Sequence, residues 1–154
     1  MDIIKVFLAD VLVGPVVLIA AIAILMLPKS QRWQAITRGV MMALTALLFA
    51  KIAAQFYQGV RPFESMGVAP GASFLPNPGF PSDHALLVFA ATIVTWAATR
   101  KKEISILLLV LSALVAFGRV FALVHTWADV IGGAVCALLA GVLWYGPKLK
   151  QKFY

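Results

Sequence analysis

The run ISILLLVLSALVAFGRVFALV, from Ile104 to Val124, holds a single charged residue, Arg119, in 21 positions. An α-helix rises 1.5 Å per residue, so a run of this length matches the roughly 30 Å of hydrocarbon in a bilayer. The run therefore predicts a transmembrane helix. A charged side chain is costly at that depth and is a functional candidate by default, which makes Arg119 the first residue to explain.

The composition of the whole chain extends this prediction. Of 154 residues, 62% are hydrophobic and 12% are charged, with a mean hydropathy of +0.96. Soluble domains average roughly 45–50% apolar and about 25% charged residues, and a small one could not bury this much apolar surface. We predict an all-α, polytopic transmembrane helical bundle forming a single domain, residues 1–154. Its five expected spans are Phe7–Leu27, Ala35–Tyr57, His84–Thr99, Ile104–Val124 and Asp129–Tyr145.

The basic residues predict the orientation of the bundle. The net charge is +7, but it forms no basic stripe with interleaved aromatics, so nucleic acid is not an expected partner. Nine of the thirteen lysines and arginines fall on one predicted side, namely Lys29, Arg32, Arg38, Arg100, Lys101, Lys102, Lys148, Lys150 and Lys152. The positive-inside rule makes that side cytoplasmic. We expect a multi-pass protein of the cell (inner) membrane, N-terminus out and C-terminus in, and the opening MDIIKVFLADVLVG does not resemble a cleaved signal.

A long loop, Gln58–Ser82, lies on the opposite, extracytoplasmic side. It has 25 residues, five of the eight prolines and several large apolar side chains. Loops of this length are usually functional or disordered. Because its side chains are apolar for an exposed linker, we interpret the loop as a cap that rests over the outer surface of the bundle.

Charged residues cluster at the same predicted side, beginning with RVFALVHTWAD. His125 and Asp129 are four apart and would share a face of a helix. A carboxylate in that place can hold one imidazole nitrogen and leave the other as a nucleophile. Arg119, six residues before His125, offers a planar fork of donors suited to phosphate.

The stretch GFPSDHALLVFAA, Gly79 to Ala91, supplies the other half of the cluster. Ser82 or Asp83 can cap the third span, whose free N–H groups would form an anion site. His84, on the first turn, is placed to protonate a leaving oxygen. With Arg61 of VRPF, the set fits phosphoryl transfer, in which catalysis is mainly positioning and charge stabilisation.

Each residue also has a structural interpretation. The serine and the acid can be plain helix caps, the two arginines can be interfacial anchors, and His125 with Asp129 can close a helix bend. Two histidines and two acids could also bind zinc, although the nearby arginines would repel a cation. We expect no metal and no cofactor.

Three segments together resemble the three-part signature of the type 2 phosphatidic acid phosphatase superfamily. They are VRPF (Val60–Phe63), PSDH (Pro81–His84) and GRVFALVHTWAD (Gly118–Asp129). The family patterns are Lys-x6-Arg-Pro, Pro-Ser-Gly-His and Ser-Arg-x5-His-x3-Asp. The resemblance implies the helical core of that superfamily and a metal-independent phosphatase that works through a phosphohistidine.

The resemblance also implies roles for individual residues. His125 would be the nucleophile, Asp129 its orienting partner and His84 the acid that protonates the leaving group. The groups that would hold the phosphate are Arg61, Ser82, Arg119 and the backbone N–H of Asp83.

The sequence departs from the family pattern at several positions. Ala54 stands where the first lysine is expected, and Lys51 lies three residues earlier, about one helical turn deeper. Lys51 could reach the phosphate along its stem or simply snorkel to the interface. Asp83 replaces a glycine, and Gly118 replaces a serine, which removes one hydroxyl donor. Five spans are also one fewer than the usual six.

The substrate implied is a membrane lipid phosphate. PSDH resembles the undecaprenyl diphosphate phosphatase branch, which favours hydrolysis of a polyprenyl diphosphate to the monophosphate. Phosphatidic acid and phosphatidylglycerophosphate remain alternative substrates, and a phospholipid-binding or flippase-like protein is the alternative without turnover. The bilayer is the expected partner, and the oligomeric state stays open.

Small residues recur every fourth position on the last predicted span. Asp129, Gly133, Ala137 and Gly141 would lie on one face of that helix. Small side chains at this spacing let membrane helices approach closely. We expect this face to pack against the bundle and to hold His125 and Asp129 in place.

Overall fold

Helices account for the whole architecture of the described residues. The structure, a computed structural model, describes residues 3–57, 59–76 and 79–150, with side chains up to residue 146 in the last helix, and contains no strand in these ranges. The predictions that involve Gln58, Asn77, Pro78 and Lys152, and the side chains of Lys148 and Lys150, lie outside the described residues. The prediction of an all-α transmembrane bundle is confirmed.

The first helical rod, Ile3–Leu25, begins earlier and ends earlier than predicted. It consists of α1 (Ile3–Val6), a π-helical turn (Phe7–Val11) and α2 (Val13–Leu25). In the π turn the N–H of Leu12 donates to the carbonyl of Phe7 at 2.9 Å, five residues back. The apolar pattern did not predict this turn, because hydropathy does not distinguish a π turn from an α turn.

Helix α3 (Lys29–Ala53) starts six residues before the predicted span. Its first turns are polar but contain good helix formers, and Pro28 precedes them without occupying a helical position. The guanidinium of Arg32 donates back to the carbonyl of Leu27 at 3.1 Å, which satisfies a carbonyl left open at the end of α2. The predicted end at Tyr57 is also wrong, because the chain turns after Ala53.

Helix α5 (Asp83–Thr99) lies at the centre of the bundle. It packs against α2, α3 and the two helices that follow it, α6 (Lys102–Phe121) and α7 (Trp127–Lys150). Its 17 residues cover about 25 Å, less than a full bilayer core. Thr92 and Ser112 share a buried hydrogen bond of 2.9 Å between α5 and α6. Four other helical segments are long and apolar enough to cross a membrane, namely Ile3–Leu25, Lys29–Ala53, Lys102–Phe121 and Trp127–Gly146. With the shorter α5, they agree with the expected five spans.

Helix α6 (Lys102–Phe121) ends three residues before the predicted Val124. The reason is backbone geometry, since Leu123 has φ = 61°, in the left-handed region that stops a helix. A short turn then leads into α7 (Trp127–Lys150). We call the end of the bundle where α3 and α6 finish and α5 and α7 begin the site end.

The segment between α3 and α5 folds back over the site end. It contains one helical turn, α4 (Pro62–Ser65). The N–H groups of Phe63 and Gly71 donate to the carbonyls of Leu123 and Ala122, both at 3.0 Å. Phe63 is buried, and its ring lies 4.8 Å from the ring of Phe74. The segment is therefore tied by backbone hydrogen bonds to the turn that follows α6.

Candidate active site

The start of α7 positions the first two predicted site residues. Thr126 precedes the helix, and its Oγ1 accepts from the N–H of Asp129 at 3.2 Å, while Asp129 Oδ2 accepts from the N–H of Thr126 at 2.7 Å. This reciprocal pair is a capping box. The box orients the Asp129 carboxylate toward the chain that enters the helix, where His125 lies. The two residues therefore meet at the helix start, because His125 precedes α7 and does not share a helical face with Asp129.

The imidazole of His125 lies against that carboxylate. Its Nδ1 is 3.5 Å from Asp129 Oδ2 and makes no hydrogen bond of standard geometry within the described residues. Both side chains are buried. Burial lowers the pKa of His125, and the charges of Arg119 and Arg61 lower it further, against the opposing effect of Asp129. The lowered pKa favours the neutral imidazole, and Nε2 is the nitrogen that does not face Asp129.

The start of α5 supplies the next group of residues. The N–H of Ser82 donates to the carbonyl of Asp129 at 2.9 Å, which joins the starts of α5 and α7. Ser82 Oγ is fully buried and has no hydrogen-bond partner in the described part of the chain. Asp83 is exposed and His84 is half-buried at the first helical turn.

Arg61 is held by the backbone that surrounds the cavity. Its Nη1 donates to the carbonyl of Val124 at 2.6 Å and its Nη2 to the carbonyl of Leu75 at 3.1 Å, and the guanidinium lies 5.5 Å from the ring of Phe74. Burial lowers the pKa of Arg61, against the opposing charge of Asp129. An arginine nonetheless stays protonated in proteins, so Arg61 is a fixed positive charge.

Arg119 is the most deeply buried charge, at 1% exposure. Its Nη2 donates to the carbonyl of Ser73 at 2.8 Å, and its Nη1 donates to Asp10 Oδ1 at 2.6 Å. Asp10, on the π turn of the first rod, was not among the predicted site residues. A sequence signal for it existed, because an acid within an apolar span is a functional candidate on the same ground as Arg119.

One cavity of about 320 Å³ joins most of the predicted residues. Its lining includes Arg61, Asp83, His84, Arg119 and His125, together with Ser73, Phe74, Leu75, Gly79 and Pro81. Asp129 lies behind His125, and Ser82 does not line the cavity.

Lys51 lies apart from the other predicted phosphate-binding residues. It is exposed and lines a separate cavity of about 90 Å³, which shares Pro81 and Asp83 with the first. The structure thus does not bring Lys51 into the cavity that contains the two histidines.

Three segments distant in sequence thus converge on a cavity lined by two arginines and two histidines, and the same segments lie inside a match to a family model. The model of the PAP2 superfamily matches residues 34–151. The chain belongs to the PAP2 superfamily. Members of this superfamily are phosphatases, so the protein is a membrane phosphatase. No significant match to a curated protein or to a solved structure accompanies this family match.

The PAP2 match covers helices α3 to α7 and leaves out the first rod. All three signature segments fall inside it, whereas Asp10 falls outside. Within the described residues, no three histidine, cysteine or acidic side chains are grouped as ligands for a metal ion.

Proposed function

We propose that the protein hydrolyses a lipid phosphate, a polyprenyl diphosphate to the monophosphate, through a phosphohistidine intermediate and without a metal ion. The observation that carries the proposal is the shared cavity, in which the side chains of His84, Arg119 and His125 line one space with Arg61. Two fixed positive charges beside two imidazoles suit a phosphoryl group, because catalysis of its transfer is mainly positioning and charge stabilisation.

The reaction consists of two displacements. Nε2 of His125 attacks the terminal phosphorus, and the bond from that phosphorus to the bridging oxygen of the diphosphate breaks while His84 donates a proton to this oxygen, so that the lipid monophosphate leaves. A water molecule then attacks the phosphohistidine as His84 takes a proton from it, the N–P bond breaks, and phosphate leaves with His125 restored. Asp129 orients the His125 imidazole throughout.

The two arginines act on the charge of the phosphoryl group. The guanidinium groups of Arg61 and Arg119 are already held by backbone carbonyls. They therefore need little reorganisation when charge builds up on the equatorial oxygens. The backbone N–H groups at the start of α5, including that of Asp83, add the dipole of a helix N-terminus.

The diphosphate substrate is supported by the PSDH segment, in which Asp83 replaces the glycine of the family pattern. Asp83 lines both the main cavity and the smaller cavity with Lys51. Lys51 would balance the charge of this extra carboxylate and would attract a second phosphate bound toward the smaller cavity. We propose that the site end faces the extracytoplasmic side of the cell (inner) membrane, with the basic loop Arg100–Lys102 inside.

The proposed function is tested with purified protein in detergent. We expect phosphate release from undecaprenyl diphosphate that exceeds release from phosphatidic acid and phosphatidylglycerophosphate, and that persists in EDTA. The matched variants are His125→Ala, expected to abolish release, and Gln31→Ala at the opposite end of the bundle, expected to retain it.

Other outcomes point to the other functions. No release from any of the three lipids by the wild type would favour a phospholipid-binding or flippase-like protein. Faster release from phosphatidic acid or phosphatidylglycerophosphate would replace the polyprenyl substrate, loss of activity in EDTA would reject metal independence, and full activity of His125→Ala would reject the nucleophile.

A further inference from the structure

Asp10 joins three elements at the site end. Its Oδ1 accepts from Arg119 Nη1 at 2.6 Å and lies 3.8 Å from His84 Nε2, and its Oδ2 accepts from the N–H of Ser73 at 2.9 Å. The carboxylate is 21% exposed. One acid from the first rod thus contacts both a phosphate-binding arginine and the histidine assigned as general acid.

Gly118 creates the space that lets Asp10 approach. A Cβ at position 118 would lie 2.6 Å from the carbonyl carbon of Leu8 and 2.7 Å from the N of Ala9. These are backbone atoms of the π turn, and Ala9 has no exposed surface. The first rod therefore packs directly on Gly118, at the position where the family pattern has a serine. The glycine at this position is therefore what lets the turn that carries Asp10 approach α6.

The π turn is the local feature that carries Asp10. Phe7–Val11 form this wider turn, and α-helical geometry resumes at Val13. Single π turns recur at functional sites in proteins. An acid within an apolar span is costly unless it is paired, and here the pairing residue, Arg119, belongs to the site itself.

We propose that Asp10 is a positioning residue of the phosphatase site, which holds the Arg119 guanidinium and supplies a counter-charge to the His84 imidazole, and that Gly118 is required for this contact. This inference rests on the proposed function. Two acid–histidine pairs result, with Asp129 beside the nucleophile His125 and Asp10 beside the acid His84.

The charge of Asp10 has two opposite effects on the reaction. It stabilises a proton on His84 Nε2, 3.8 Å away. Burial and the charges of Arg119 on α6 and His125 before α7 oppose that proton, and Asp83, on the same helix as His84, is the second acid that favours it. The negative charge of Asp10 also repels a bound phosphate. Asp10→Asn keeps one acceptor oxygen, for either Arg119 or Ser73, and removes the charge, so rate and affinity should move in opposite directions.

The first test compares wild type with Asp10→Asn. We expect kcat to fall about tenfold or more, because the acid loses its counter-charge. The affinity for inorganic phosphate, measured as thermal stabilisation of the protein in detergent, should rise roughly threefold or more as the repulsion is lost. An unchanged kcat, or a joint fall of kcat and phosphate affinity, would overturn the positioning role. A rise of kcat would mean that Asp10 blocks the cavity, and it would overturn the role as well.

The second test uses glycines and does not depend on the Asn variant folding. Gly118→Ala should displace the π turn and lower kcat as Asp10→Asn does. The matched control is Gly14→Ala, on the same rod, where a Cβ would meet no atom within 4 Å. The Asp10→Asn, Gly118→Ala double variant should be about as slow as either single variant, because both remove one contact. Multiplied rate losses in the double variant, or full activity of Gly118→Ala, would contradict the coupling.

The two proposals fail in different ways. If the wild type releases no phosphate from any lipid, the proposed function is rejected. The affinity for inorganic phosphate, compared between wild type and Asp10→Asn, still decides whether the Asp10 charge acts on the cavity. If the wild type is active and Asp10→Asn has the same kcat, only the inference about Asp10 is rejected.

Discussion

At the scale of single residues, the environment of His125 determines its chemistry. Its imidazole is buried, so the charged form is disfavoured, and the two arginines that line the same cavity disfavour it further. The neutral imidazole is the nucleophilic form. The two arginines proposed to bind phosphate and the protonation state of the proposed nucleophile, His125, are therefore linked through one set of charges.

This link predicts how His125 reacts as the pH changes. The pKa of His125 is lowered by burial, so the neutral form should persist below the ordinary histidine value of about 6.5. The chain has two histidines, so in His84→Ala the acylating reagent diethyl pyrocarbonate has one histidine to modify. We expect the modification rate, followed by mass spectrometry, to be half-maximal clearly below the pH found for N-acetylhistidine. A midpoint at or above that of the free compound would contradict the prediction.

At the scale of secondary-structure elements, the start of α7 combines a helix cap with the site. The capping box between Thr126 and Asp129 satisfies free N–H groups of the helix, and its carboxylate is the same one that lies beside His125. Stability of the helix and orientation of the nucleophile therefore depend on the same side chains.

The cap can be tested by substitution of Thr126. We expect Thr126→Ala to lower the free energy of unfolding by about 1 kcal/mol, because it removes the hydroxyl that accepts from Asp129. Thr126→Ser keeps that hydroxyl and should stay close to wild type. Thermal unfolding in detergent measures both variants, and equal stability of the alanine and serine variants would show that the cap contributes nothing.

Close packing of α7 on α5 is the second feature at this scale. A Cβ at Gly133 would lie 2.5 Å from the carbonyl oxygen of Ser82 and 3.0 Å from the N of Leu86, and both atoms belong to the backbone of the α5 start. The stripe of small residues predicted from the sequence therefore includes the residue that lets the two helix starts meet.

Gly133→Ala should push these helix starts apart. Since backbone atoms cannot rotate away, we expect a loss of about 1–3 kcal/mol in stability together with reduced phosphate release. Gly146→Ala is the matched control on the same helix, because among the described side chains its Cβ would meet Val142 Cγ1 alone, at 3.8 Å. Wild-type stability and activity of Gly133→Ala would show that the close approach is unnecessary.

At the scale of the whole molecule, the distribution of charge predicts the orientation in the membrane. Three basic residues, Arg100, Lys101 and the first residue of α6, Lys102, lie at the junction of α5 and α6, at the end opposite the site. The positive-inside rule then puts the site end outside. The native cysteine, Cys136, is buried. We therefore expect little labelling of Cys136 by a thiol reagent, so that the labelling of an introduced cysteine can be measured.

Two single-cysteine substitutions test the orientation. Val68→Cys lies on an exposed part of the segment over the site end, and Lys101→Cys lies on the exposed loop at the other end. We expect an impermeant thiol reagent to label the first in intact cells and the second only after lysis. The reverse pattern of labelling would invert the topology.

The amino-acid sequence by itself determined the membrane class, the number of spans and five of the ten residues that line the cavity. Run length and hydropathy are local quantities, and a chain in hydrocarbon must satisfy its backbone within helices. The short spacing within GRVFALVHTWAD keeps Arg119, His125 and Asp129 at the same end of the bundle, although they meet through the turn between α6 and α7 and not through a shared helical face. The boundaries were less accurate, because a left-handed Leu123 and a π turn are not encoded in hydropathy.

The tertiary structure alone decided which distant residues share the cavity. Asp10 meets Ser73 across 63 residues and Arg119 across 109, and Lys51, one helical turn from the family position, lines a different cavity. These contacts depend on how closely two helices pack, as Gly118 shows for the first rod. No pattern along the chain predicts the distance between two packed helices, because the side chains of both helices set it jointly.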